Sequence, residues 1–133
     1  MQETVNVIIL RELSLSYLSK PTIDYHFTDS SGFIQELLTA TGVIKQNKKL
    51  CAQEIFDIYH ISGSWNKHTL GSLAFYGRSV LEIGHVALLL DGHTVISADL
   101  SADEGIRVKI RPLNFRSGLV AIIRPSYAQI GCP

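Results

Sequence analysis

Gly84-His85-Val86-Ala87-Leu88-Leu89-Leu90-Asp91-Gly92-His93-Thr94-Val95-Ile96-Ser97-Ala98 is the stretch that decides the fold class. Two short runs of aliphatic and β-branched residues, His85–Leu90 and Thr94–Ala98, flank an Asp-Gly pair of the kind that tight hairpin turns favour, so two antiparallel strands are predicted. Similar runs occur at Leu73–Tyr76 before the hairpin and at Ile106–Ile110 and Leu119–Ile123 after it, each separated from its neighbours by turn residues.

Upstream of Gly71 the period changes. Val5 to Leu18 places Val5, Ile9, Leu13 and Leu18, with Ile8 and Leu15 beside them, at the spacing of a broad-faced amphipathic helix that Lys20-Pro21-Thr22 ends. Asp29 and Ser30 are residue types that cap helices. Phe33, Ile34, Leu37 and Leu38 behind them share one helical face, predicting a second helix from about Ser31 to Thr41-Gly42. Cys51 to Tyr59 repeats the pattern through Ala52, Ile55, Phe56 and Tyr59. Helices first and strands afterwards predict an α+β domain with an antiparallel sheet across residues 1–133, not a βαβ repeat.

Composition narrows the function classes. With 133 residues, 46% of them hydrophobic, the chain is long enough to bury roughly two-thirds of its unfolded surface, so it needs no metal or disulfide staple. Twelve basic side chains balance twelve acidic ones, which leaves no basic field for nucleic acid and no polybasic patch for an anionic membrane. Val5–Leu10, interrupted by Asn6 and followed by Arg11 and Glu12, is too short for a membrane span and lacks the flanks of a signal peptide. Cys51 and Cys132 have neither CxxC spacing nor a histidine ladder around them, so no zinc site is expected, while a bridge between them stays open.

Two positions carry chemistry. At Asp29-Ser30-Ser31-Gly32-Phe33 a loop turns into an apolar helix and leaves a nucleophile-type side chain at its N-terminus, where unpaired amides and the helix dipole favour developing negative charge. His85 opens an apolar strand directly after a glycine, which suits a base delivered by the sheet to that helix tip. The structural alternatives are a simple N-cap at Asp29-Ser30 and a hydrogen-bonded strand histidine. Cys51 also opens a helix, but its neighbours Ala52, Gln53 and Glu54 provide no glycine for close approach, so it reads as a packed helix start. His26, His60 and His68 lack ligand spacing, and Trp65 and Tyr76 are candidates for cleft walls.

Three blocks, Asp29-Ser30-Ser31-Gly32-Phe33, Gly71-Ser72-Leu73-Ala74-Phe75-Tyr76-Gly77 and Gly84-His85-Val86-Ala87-Leu88-Leu89-Leu90-Asp91, resemble in this order the NlpC-type papain-like cysteine peptidases of bacterial and phage origin. The resemblance covers Leu13 to Tyr127, including a closing segment at Val108–Arg124. It implies a papain-like fold, with N-terminal helices packed on an antiparallel sheet, and hydrolysis of an amide in peptidoglycan stem peptides without metal or organic cofactor. His85 would be the general base, and the N–H of position 30 an oxyanion donor. A polar residue about twelve positions past the base orients the imidazole in the family. Here that position is Ser97, with His93 or Asp91 as substitutes should a bulge shift the register. Asp29 and Ser31 would bind the stem peptide together with Tyr25, the nearest aromatic, since the family's upstream Pro-Tyr is missing.

The chain departs from the family's pattern at its centre. Members read Asp-Cys-Ser-Gly-Phe where this sequence has Ser30. A thiol with a reference pKa near 8.5 can be held as thiolate at a helix tip beside an imidazole, whereas an alcohol cannot, so the resemblance implies an inactivated peptidase. That is the replacement made to trap a substrate complex, and equally the mark of a natural pseudo-peptidase serving as a binding or interaction module. Stem peptides are the expected partners, along with a delivery or immunity protein. Without a signal peptide, a cytoplasmic product carried to the cell wall by a phage particle or secretion system is expected.

Overall fold

The computed structural model describes residues 2–44 and 48–127. Three helices, α1 (Gln2–Ser16), α2 (Ser30–Ala40) and α3 (Ala52–Tyr59), precede all the strands, with one 3₁₀ turn at Thr22–Asp24. The strands are β1 (Ser64–Trp65), β2 (Leu73–Ser79), β3 (Glu82–Leu89), β4 (Thr94–Ser101), β5 (Gly105–Pro112) and β6 (Leu119–Arg124). Among the described residues they form one antiparallel six-stranded sheet in the order β1-β6-β2-β3-β4-β5. The α+β class is therefore the observed one, and Asp91-Gly92 lies in the turn joining β3 to β4.

Each helix docks through a recognisable face. In α2 the buried residues Phe33, Ile34, Leu37 and Leu38 are those the helical period selects, and Asp29 caps the N-terminus by accepting the Gly32 N–H at 2.8 Å. In α3 the Glu54 carboxylate accepts the Cys51 N–H at 3.0 Å, while Ala52, Ile55, Phe56 and Tyr59 face inward. α1 behaves differently. Its predicted face is only partly docked: Val5, Ile8 and Ile9 are about half exposed while Leu13 and Leu15 pack against the core, and the buried residues are Asn6, Val7, Leu10 and Ser14, with Tyr17 just past the helix end. Both sets have helical spacing. The second wins because Tyr17 joins Tyr25, Phe27 and Phe33 in a cluster of edge-on rings, and because Ser14 hides its hydroxyl by donating to the Arg11 carbonyl.

The sheet separates two apolar clusters. One face meets the helices through Leu73, Phe75, Val86, Leu88, Ile96 and Ile123. The other face carries Ala74, Tyr76, Ala87, Leu89, Val95 and Ile122, covered by Leu113 and Phe115 from the β5–β6 connection. That connection is pinned. Leu113 N–H donates to the His93 carbonyl, the Tyr76 hydroxyl donates to the Leu113 carbonyl, and Gly77 N–H donates to the Gly118 carbonyl. Gly118 needs its φ of +86°, and a Cβ there would come within 2.5 Å of the Gly77 oxygen.

Where β3 and β4 leave the turn they are paired at Leu88–Ile96 and Leu89–Val95; further along, no paired residues join them among the described residues. The N-terminal end of α2 reaches this fork, where the Val86 N–H donates to Ser30 Oγ at 3.3 Å. Among the described residues no helix is long and apolar enough to cross a membrane.

Candidate active site

A cavity of about 580 Å³ opens at the fork and is lined by Ser30 and Asp29 from the tip of α2, His85 from β3, and Asp99 from β4. Arg111 from β5 and Phe115 and Arg116 from the β5–β6 connection close it on the other side. The placement of each side chain follows from the local fold. A helix start leaves its first amides without intrahelical acceptors, so Ser30 sits where negative charge is favoured. His85 and Tyr76 are cross-strand partners, and their rings meet edge-on at 5.8 Å.

The residue facing the imidazole is Asp99. Its Oδ1 lies 3.6 Å from His85 Nε2, and that nitrogen is buried without a hydrogen-bond partner among the described residues. Carrying the Leu88–Ile96 register three positions along each strand sets Asp99 directly across from His85, and so on the same face of the sheet. Ser97 sits one step nearer the turn on that face and touches the carboxylate, donating to Asp99 Oδ1 at 2.8 Å. Arg111 Nε donates to Asp99 Oδ2 at 3.1 Å. The carboxylate is thereby held from two sides, by a hydroxyl and by a guanidinium. With Nε2 turned to Asp99, Nδ1 is the ring nitrogen left to serve a nucleophile.

Burial among Tyr76 and Phe115 dominates the titration of His85. Together with the Arg116 charge it brings the pKa down to about 4, against the opposing pull of Asp99. At neutral pH the ring is uncharged and able to accept a proton.

The other sequence candidates fall as follows. Asp29 lines the cavity and makes an ion pair with Lys49 at 3.2 Å. Burial alone would raise its pKa, but donors from the Gly32 N–H, Lys49 and Ser31 outweigh that and hold it below the ordinary range. Ser31 is buried, with its hydroxyl 3.0 Å from Asp29 Oδ1, and supports the loop from behind. Tyr25 lies outside the cavity. Its hydroxyl joins the Tyr17 carbonyl to the Val108 N–H, and its ring stacks on Phe27 at 4.9 Å. Asp91 and His93 stay in the turn, where Asp91 accepts the His93 N–H. Cys51 is an exposed free thiol outside the cavity lining, and Cys132 lies outside the described residues. Trp65 is likewise elsewhere, packed edge-on against Phe56.

Four contributors escape the sequence reading: Asp99, Arg111, Phe115 and Arg116. Only Asp99 left a usable signal, because the Asp-Gly turn fixes a register that can be extended. Phe115 and Arg116 come from an irregular segment whose position depends on Gly77 and Gly118. Among the described residues no group of three or more His, Cys, Asp or Glu side chains could hold a metal ion. Compared with known proteins, the chain matches no family model, and no curated protein matches it.

Proposed function

We propose that this domain is a papain-like, NlpC-type hydrolase of amide bonds in peptidoglycan stem peptides, slowed by a serine in the nucleophile's place. The observation that carries the reading is the single cavity joining a helix-tip nucleophile position at Ser30 to His85 backed by Asp99. In the reaction, His85 takes the proton of the group at position 30 as that group attacks the scissile carbonyl. The N–H of residue 30 donates a hydrogen bond to the developing oxyanion, and the imidazolium then protonates the leaving amine. Water, activated by the same ring, releases the acyl group. Asp99 holds the ring and stabilises its charged form.

Ser30 fits this geometry and weakens its chemistry. Its alcohol is far less acidic than a thiol, and the neighbouring base has a low pKa, so the serine form turns over slowly at best. Replacing Ser30→Cys, with Cys51→Ser to remove the exposed thiol, and incubating the protein with purified muropeptides tests the reading. New amine termini should appear by mass spectrometry. Absence of cleavage by a folded cysteine form would sink it.

A non-catalytic stem-peptide binding module is the second reading. The Val86 N–H bond to Ser30 Oγ favours it, because a hydroxyl satisfied in this way serves the fork's structure. Muropeptide binding by the serine form together with inertness of the cysteine form would select it.

A further inference from the structure

Each carboxylate lining the cavity already has a basic partner. Asp29 is matched by Lys49, which stands outside the lining, at 3.2 Å, and Asp99 by Arg111 at 3.1 Å, while His85 is buried. Arg116 remains, and among the described residues it forms no ion pair with a carboxylate. Its guanidinium lies 6.0 Å over the Tyr76 ring, the same ring that packs against His85.

An arginine on an exposed loop is ordinarily a solvated surface charge. This one is held. Its segment is tied to the turn at His93, to Tyr76 and to Gly77, and Phe115 beside it packs on both His85 and Tyr76. A cation on a pinned loop at the cavity wall, over an aromatic ring, with the neighbouring carboxylates already paired, attracts one class of group: a planar anion small enough to share the cavity with the scissile amide.

We propose that Arg116 is a specificity residue that binds a carboxylate carried by the substrate next to the amide to be cleaved. This rests on the amide-hydrolase reading for the reaction, though not for the anion site itself. A carboxylate at this place gains a charge-assisted contact. The corresponding primary carboxamide leaves the guanidinium solvated and gains less, so the two should be discriminated.

Two peptides identical except for carboxylate or carboxamide beside the scissile bond provide the first test, using the serine form so that both stay intact. Calorimetry should show the carboxylate binding at least about tenfold more tightly. Arg116→Gln should bring the ratio close to one, and Arg116→Lys should keep part of it. Equal affinities, or a preference that survives in Arg116→Gln, would overturn the proposal.

Acetate provides an arm independent of peptidase activity. Titrated into the protein, it should shift the His85 ring resonance, assigned by its loss in His85→Gln, in a saturable way that Arg116→Gln abolishes. No shift, or the same shift in both proteins, counts against the site. Acetate binding without peptide cleavage by the Ser30→Cys form removes the hydrolase reading and keeps the anion site. Cleavage of both peptides with equal kcat/KM removes the anion site and keeps the hydrolase.

Discussion

Asp99 stands across the β3–β4 fork from His85, with its Oδ1 3.6 Å from the buried Nε2, in a stretch where the two strands share no backbone pairing among the described residues. The side chains therefore meet where the ladder has opened, and the carboxylate can adjust toward the ring. Asp99→Asn removes the anion while its amide oxygen can still accept from Arg111 Nε and its NH2 can donate to a Ser97 hydroxyl turned to accept. In the Ser30→Cys background kcat/KM should fall by about 100-fold or more, with little change in melting temperature. The His85 pKa should drop further, since the carboxylate is the neighbour that raises it. An Asn variant with unchanged kcat/KM would remove Asp99 from the machinery.

Acid should destabilise the protein through His85 before its carboxylates protonate. The folded ring titrates at about 4 and the ordinary histidine value is 6.5. Between those values the unfolded chain takes up a proton that the folded protein refuses. Stability is then fully present above pH 6.5 and declines as pH falls toward 4, by up to about 3 kcal/mol. Urea unfolding at pH 7 and pH 4.5 measures this, and His85→Gln should flatten that part of the profile.

Phe115 keeps water from the imidazole, its ring 5.7 Å from that of His85 and 5.4 Å from that of Tyr76. Phe115→Ala should cost about 1–2 kcal/mol, because the side chain is only partly buried. More tellingly, the His85 pKa should rise toward its ordinary value as the ring becomes hydrated. NMR titration of the ring reads this directly, and an unmoved pKa would place the source of desolvation elsewhere.

Gly118→Ala should disturb the site without touching it. The added methyl would meet the Gly77 oxygen, and φ of +86° strains any residue but glycine, so a loss above about 1 kcal/mol is expected. Because Gly118 anchors the segment carrying Phe115 and Arg116, the His85 resonance should shift as well. A destabilised variant with an unmoved resonance would uncouple the segment from the site.

The sequence was readable wherever one local rule sufficed. α2 could be read because a cap residue, a glycine and four apolar positions all agree, and the sheet because an Asp-Gly turn separates two aliphatic runs. α1 was readable as a helix but its buried stripe was not, since two helical stripes compete and the buried one contains Ser14, whose hydroxyl is satisfied within the helix. Ser97 drew attention by its distance from His85 along the chain, while strand register brings Asp99 opposite the ring. Register, not chain separation, decides which side chains meet across a hairpin. Phe115 and Arg116 were beyond reach because a long connection positions them through glycine contacts that carry no period.

Among the described residues, two ladder pairs, Leu88–Ile96 and Leu89–Val95, and the Leu90 and Asp91 N–H groups donating to the Thr94 carbonyl index β4 against β3. This makes the Asp91-Gly92 turn a spacer whose length matters more than its chemistry. One residue added there would present Ala98 where Asp99 now stands, with every apolar contact nearby exchanged for its neighbour's. Over evolutionary time such a hairpin can accept changes of letter but not of count, so insertions should collect in other loops while this turn keeps its size.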